Sequence, residues 1–237
     1  MHEKAVCLLS GGLDSSTTLA IAISRGYKCH AISFRYGQVH NRELVSAARI
    51  ADHFGVPHTV VDIDLKNIAI SALTGYGDIP RRNLNEIGQD DIPASYVPSR
   101  NIIFLSIAAA MAEGLGTGYV FIGANALDYS GYPDCRPEFF REFENALNAG
   151  TKIGLERGFR IQVPLQYLKK SEIIKLGTKL GVPYEMTTSC YRGGEIACGQ
   201  CDSCLLRLRG FMEAGIRDPL PYATYPDFYQ EFLKKNF

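Results

Sequence analysis

The chain has no surplus of charge of either sign. Its 25 lysines and arginines meet 25 aspartates and glutamates, for a formal net charge of +0 at pH 7. Without a basic excess there is no field to hold a nucleic acid backbone. It also lacks a membrane-length apolar run: the longest, Ile102 to Ala112, is interrupted by Ser106 and is too short to span a bilayer. It reads instead as part of a helix buried on most sides. No basic-then-apolar segment opens the chain, so a secretory leader is not expected. There is no internal repeat, no low-complexity tract, and no GxxxxGK[ST] spacing of a Walker loop. What remains is 237 residues, 46% hydrophobic and 21% charged, ordinary for one large domain or a domain with a small appendage. Seven cysteines without a leader point to a reducing, cytoplasmic setting, and to metal ligands over disulfides.

The densest signal is Ser10 to Ser16, SGGLDSS, directly after the apolar run Ala5 to Leu9. An apolar strand, then glycines and hydroxyls, then a helix beginning near Thr17, is the plan of a phosphate-binding loop. Gly11 and Gly12 let the backbone take positive φ and come close to a ligand. Ser10, Ser15 and Ser16 supply hydroxyl donors. The helix start adds unpaired N–H groups and the positive end of a dipole. An ordinary βα turn rich in small residues would explain glycine and serine here, but not the whole string in this strand context. The string resembles the PP-loop of the ATP pyrophosphatases, which hold the β- and γ-phosphates of ATP there and adenylate an oxygen of their substrate.

Strands and helices alternate along the chain. Strands are predicted at Ala5 to Leu9, Lys28 to Phe34, His58 to Ile63, Tyr119 to Ile122 and Gly158 to Val163. Helices are predicted at Thr17 to Arg25, Arg42 to Phe54, Arg100 to Glu113, Pro137 to Ala149 and Ser171 to Leu180, the last capped by Ser171. This pattern gives a doubly wound, mostly parallel five-stranded α/β sheet with helices on both faces. Ligands of such sheets sit beyond the carboxyl ends of the strands. SGGLDSS, FRYGQVH and GANALDYSGYPDCR all fall there. The polar stretch Thr74 to Ser95 reads as a lid or an insertion.

Cys190, Cys198, Cys201 and Cys204 form C-x7-C-x2-C-x2-C. Two consecutive CxxC steps gather thiolates on one tight turn, and a fourth from the preceding loop closes a tetrahedron. Four thiolates suit a structural Zn²⁺. An iron–sulfur cluster is the rival, although the C-x3-C-P step of ferredoxins is missing. Cys7 and Cys29 read as packing residues. Cys135 reads as a free thiol lining a pocket, with a nucleophilic role as the alternative.

SGGLDSS, FRYGQVHNRE, VPSRN, GANALDYSGYPDCRPEF, VPLQYLKKSEI and the four cysteines occur in that order in one chain. Together they closely resemble the 7-cyano-7-deazaguanine synthases, the preQ0 synthases of the queuosine pathway, from Ala5 to about Pro219. The resemblance implies an adenine nucleotide alpha hydrolase-like domain over 1–185 and a zinc-binding segment over 186–237 packed on it. It implies ATP-dependent conversion of 7-carboxy-7-deazaguanine and free ammonia to a nitrile, through an adenylated carboxylate and an amide.

Its implied nucleotide site spans Leu8, Leu9, Ser10, Gly11, Gly12, Leu13, Asp14, Ser15, Ser16, Thr17 and Thr18, with Asp14 orienting the loop or ligating Mg²⁺. Asp14, Ser15, Lys170 and Arg100 are the implied catalytic residues. Lys170 would place its ammonium on phosphate, and Arg100 would clamp a phosphate or a carboxylate. Tyr36, Gln38, His40, Asn125, Asp128 and Tyr129 are the substrate-pocket candidates, and Arg192 and Glu195, which flank the cysteine cluster, are expected to reach the same pocket. A homodimer with small-molecule partners, no nucleic acid and no membrane is expected. Two competing readings are a tRNA-modifying PP-loop enzyme and a zinc-dependent nucleic-acid-binding regulator. The first needs a basic face for tRNA. The second leaves SGGLDSS unexplained.

Overall fold

β1 (Lys4–Leu8) divides its side chains between two cores, and that division organises the molecule. The computed structural model describes residues 2–38, 41–66, 68–76, 84, 87, 92, 95–126 and 132–237. Ala5, Cys7 and Leu9 face Leu19 and Ala22 of α1 (Leu13–Ser24) and Ala47, Ile50 and Ala51 of α2 (Arg42–His53). Val6 and Leu8 face the opposite side, where Leu105, Ala108 and Ala109 of α3 (Arg100–Gly114) and Phe140 of α4 (Pro137–Gly150) pack. This is the two-sided burial expected of a parallel sheet. Cys7 and Cys29 both lie in the α1/α2 core.

β2 (Lys28–Arg35), β3 (His58–Asp62), β4 (Tyr119–Phe121) and β5 (Arg160–Gln162) complete a five-stranded sheet of order β3-β2-β1-β4-β5. Every neighbouring pair is parallel. The strand order reverses beside β1, so its carboxyl end and that of β4 border the crevice where such sheets bind ligands. α5 (Lys152–Glu156) leads into β5.

A third core joins α1 to the C-terminal elements. Leu13, Ala20 and Ile21 meet Ile173 and Ile174 of α6 (Lys170–Lys179) and Leu208 and Phe211 of α7 (Asp202–Ala214). Tyr229 and Phe232 of α8 (Asp227–Asn236) close it. A buried ion pair pins α7 to the tail. Arg207 donates from Nε and Nη2 to both Asp218 oxygens at 2.7 and 2.9 Å, and Tyr222 Oη donates to the same carboxylate at 2.6 Å. No helix among the described residues is long and apolar enough to cross a membrane.

Two local expectations are corrected. α1 begins at Leu13, four residues before Thr17. The hydroxyls of Ser15 and Ser16 fold back on the Gly12 carbonyl and that of Thr17 on the Leu13 carbonyl, so residues that read as loop are accommodated inside the helix. α3 is buried on most sides as expected: Asn101, Phe104, Leu105, Ala108, Ala109 and Ala112 are buried, Ile103, Ile107 and Met111 pack partly buried on the same core, and the exposed line runs through Ile102, Ser106 and Ala110. α6 begins at Lys170, with Glu172 accepting the Lys169 N–H at 2.7 Å, so Ser171 is not the cap. Most of Thr74 to Ser95 lies outside the described residues.

Candidate active site and metal centre

A cavity of about 270 Å³ opens at the carboxyl ends of β1, β2 and β4. One end is the glycine loop. Gly11 has φ +79°, and a Cβ there would lie 2.3 Å from the Glu43 carbonyl and 2.5 Å from the Ala47 nitrogen, so the loop is seated against α2 through a bare backbone. Thr188 N–H donates to the Gly11 carbonyl at 2.9 Å and ties the loop to the segment before the cysteines. Gly123, after β4, plays the matching part on the other side. A Cβ there would stand 3.0 Å from the backbone of Asp14 and Ser15, so the start of α1 rests directly on the β4 end. Ser10 N–H donates to Ser15 Oγ at 3.1 Å, which fixes the turn.

Lys170 and Asp14 are brought together across 156 residues. The ammonium lies 2.8 Å from each Asp14 oxygen, with the lysine side chain only 9% exposed. Both line the cavity, as do Leu8, Leu9, Ser10, Gly12, Leu13 and Ser15. Gly11, Ser16, Thr17 and Thr18 are not among the lining residues, and Ser16, Thr17 and Thr18 are fully buried. Their side chains build the helix start and do not face the cavity.

The other end is aromatic around one cation. Phe34 and Phe104 stack with centroids 4.0 Å apart, and Tyr36 meets Phe104 edge-on at 5.4 Å. Arg100 stands among them at the start of α3. Burial opposes its charge, but Tyr36, Tyr132, Asp134 and Cys135 around it hold its pKa above the ordinary value. Burial pushes the Tyr36 phenol up while Arg100 pulls it back. Asp134, pushed up by burial against the pull of Arg100, accepts the Asn101 N–H at 3.1 Å and so caps α3 from the side. Ser99, the residue before Arg100, has φ 58° and is the one positive-φ non-glycine among the described residues. Such strain costs about 1–3 kcal/mol and gathers at functional sites.

Cys135 lines this end, its thiol pushed up to about 12 by burial and then by Asp134. Burial thus works against the thiolate that a nucleophile needs.

The remaining sequence candidates divide. Gln38 lines the cavity, but its carboxamide serves its own loop. Oε1 accepts the Tyr36 N–H at 2.8 Å and Nε2 donates to the Phe34 carbonyl at 3.3 Å. Asn125 Nδ2 donates to the carbonyls of Leu165 and Leu168, at 3.0 and 2.6 Å, and so ties the β4 end to the segment that delivers Lys170. His40, Asp128 and Tyr129 lie outside the described residues. Arg192 and Glu195 do not line the cavity. Glu43, Asn101, Tyr132, Ser189, Ser203 and Arg207 do, and sequence reasoning missed them. The signal for Ser189 and Ser203 was their place one residue before a cluster cysteine. Arg207 carried no signal, because its partner Asp218 is recognisable only in space.

Cys190, Cys198, Cys201 and Cys204 place their sulfurs within 4.8 Å of one another, with Cys198 and Cys204 at 3.9 Å. A tetrahedron of Zn–S bonds has edges of about 3.8 Å, so the four thiols fit a four-coordinate metal. Backbone N–H groups point at the sulfurs, as thiolates require. Cys198 N–H donates to Cys190, and those of Gln200 and Cys201 to Cys198, each at 3.4 Å. Gly199 makes the turn at φ +72°, and a Cβ there would meet the Thr224 carbonyl at 1.7 Å.

A family model described as "Queuosine biosynthesis protein QueC" matches residues 4–215. A 7-cyano-7-deazaguanine synthase of Thermoplasma acidophilum is 61% identical over 235 residues, which cover 99% of this chain and 98% of that protein. One from Coxiella burnetii is 53% identical over 227 residues, covering 94% and 99%. Among solved structures, NMN synthetase from Francisella tularensis overlays with a TM-score of 0.49 at 18% identity, covering 99% of this chain and 83% of that one.

Proposed function

The chain belongs to the QueC family of queuosine biosynthesis proteins, and from that premise we propose that it is an ATP-dependent ligase making 7-cyano-7-deazaguanine from 7-carboxy-7-deazaguanine and free ammonia. The observation that carries this reading is one cavity with two unlike ends, a glycine loop with Lys170 and an aromatic wall with Arg100. The loop end suits a triphosphate. The N–H groups at the start of α1, the hydroxyls of Ser10 and Ser15 and the Lys170 ammonium would take the β- and γ-phosphates. Asp14 would hold the Mg²⁺ that accompanies them. The aromatic end suits a flat deazapurine, with the Arg100 fork on its carboxylate.

The chemistry follows from which phosphorus is left accessible. A loop gripping the β- and γ-phosphates leaves the α-phosphorus toward the substrate. A carboxylate oxygen attacks it and pyrophosphate leaves. Ammonia then displaces AMP to give a primary amide. The amide oxygen attacks a second α-phosphorus and pyrophosphate leaves; the adenylated imidate then loses AMP, and with both nitrogen protons gone the nitrile remains. Lys170 and the loop donors neutralise the charge on the departing pyrophosphate in both rounds.

We also read 1–185 as the nucleotide-binding domain and 186–237 as a metal-binding segment. Its cysteines hold Zn²⁺ in a closed, structural site. The core shared by α1, α6, α7 and α8 supports packing of the segment on the domain. Ser189, Ser203 and Arg207 line the cavity, which supports a role for the segment in shaping it.

The amide step is tested by supplying synthetic 7-amido-7-deazaguanine with ATP and no ammonium. The nitrile should form, and with limiting ATP the same amide should accumulate from the acid. An inert amide would remove the intermediate from this account.

A further inference from the structure

α7 carries a glycine, Gly210, in its buried interior. Glycine is the poorest helix former apart from proline. Gly210 is not at positive φ, so the backbone does not require it. The space around it does. A Cβ there would lie 2.3 Å from Lys170 Cγ, 2.9 Å from Lys170 Cβ and 3.0 Å from Ile174 Cδ1. The stem of Lys170 therefore runs across the bare α7 backbone at this point. These atoms are the root of the side chain, not its flexible end. Displacing them redirects the ammonium that reaches both Asp14 oxygens at 2.8 Å. Gly177 on α6 offers a contrast. A Cβ there would meet Tyr184 Oη at 1.9 Å, a hydroxyl bonded to Thr17 in the core, so that glycine serves packing alone.

We propose that Gly210 is a positioning residue for Lys170, the notch in α7 that lets the lysine stem lie flat and sets where its charge stands in the cavity. The inference rests on the reading of Lys170 as the phosphate-facing cation. It makes the C-terminal segment a template for the nucleotide end of the site as well as a wall of the cavity. A methyl group here should act as a misplacement of roughly an ångström, which in a preorganised site costs up to about 100-fold.

The test compares Gly210→Ala, Lys170→Met and the double variant, with thermal midpoint, kcat and both KM values measured for each. Gly210→Ala should fold with a midpoint no lower than that of Lys170→Met, because the helix preference of alanine offsets part of the cost of displacing the lysine stem. Its kcat/KM for ATP should fall by about 10- to 100-fold, with the KM for the deazapurine acid unchanged. The double variant should be no worse than Lys170→Met within about twofold, since residues that act through one another do not add. Wild-type kinetics in Gly210→Ala beside an inactive Lys170→Met would overturn this inference alone. Multiplied losses in the double variant would do the same. Full activity in Lys170→Met would remove the reading of Lys170 beneath it. If Gly210→Ala fails to fold, Gly210→Ala with Ile174→Val removes the Cδ1 that the new methyl group would meet at 3.0 Å. The loss in kcat/KM should persist there, and its disappearance would count against Lys170 as the affected group.

Discussion

Lys170→Met should remove turnover by about 100-fold or more while the chain remains folded. The size follows from the role: a cation whose side chain is 9% exposed, facing the charge that develops on the leaving pyrophosphate. Methionine keeps an unbranched stem to lie across Gly210 and deletes only the charge. The substitution also leaves the Asp14 carboxylate, which is 24% exposed, without its ammonium partner at 2.8 Å. Leaving a part-buried charge in this state costs on the order of 1–3 kcal/mol, so the melting midpoint should drop. Adding Asp14→Asn removes the second charge and should restore most of that loss. It should not restore turnover. Midpoint and activity therefore separate in the double variant. If activity returns together with stability, the pair is an ordinary ion pair and the nucleotide end of the site lies elsewhere.

Cys201→Ala, or removal of the metal by a strong chelator, should cost more stability than any surface substitution. The Cys201 side chain is fully buried, its residue is the N-cap of α7, and it packs in the core shared with Leu13 and Ile21 of α1. A structural metal contributes folding free energy directly. Its loss belongs to the mechanisms that exceed about 4 kcal/mol, or roughly 10 °C in midpoint for a chain of this size. Elemental analysis should find one zinc per folded chain. Hydrogen exchange in 186–237 should rise in the variant while β1 and β2 stay protected. The Arg207–Asp218 pair should keep the tail partly ordered, because none of its bonds passes through a cysteine. Iron with acid-labile sulfide, or a folded chain without metal, would contradict the zinc assignment.

The parts of this molecule legible in sequence are those whose signal is local. SGGLDSS carries its meaning in seven consecutive residues after an apolar strand, and the four cysteines carry theirs in spacing. Alternating strands and helices gave the parallel sheet for the same reason. Asp14 and Lys170 could each be picked out, but not their pairing, since 156 residues separate them. Arg207 and Asp218 sit only 11 residues apart, yet a buried arginine looks in sequence like any surface one. The start of α1 was misplaced because serine and aspartate favour caps and turns until their hydroxyls find helix carbonyls. Which line of α3 stays exposed is not legible, because exposed Ile102 and buried Leu105 are equally apolar on paper. Gly210 carried no sequence signal, since what it accommodates belongs to another helix.

The nucleotide balance of the complete reaction reports which phosphorus of ATP is attacked. The holoenzyme, given 7-carboxy-7-deazaguanine, ATP and ¹⁵N-labelled ammonium, should yield a nitrile carrying the label, identified by mass, with two AMP and two pyrophosphate released for each nitrile. A loop that grips the β- and γ-phosphates and exposes the α-phosphorus requires this ratio. Release of ADP and phosphate in their place, or no labelled nitrile from a folded and metal-loaded protein, would contradict it.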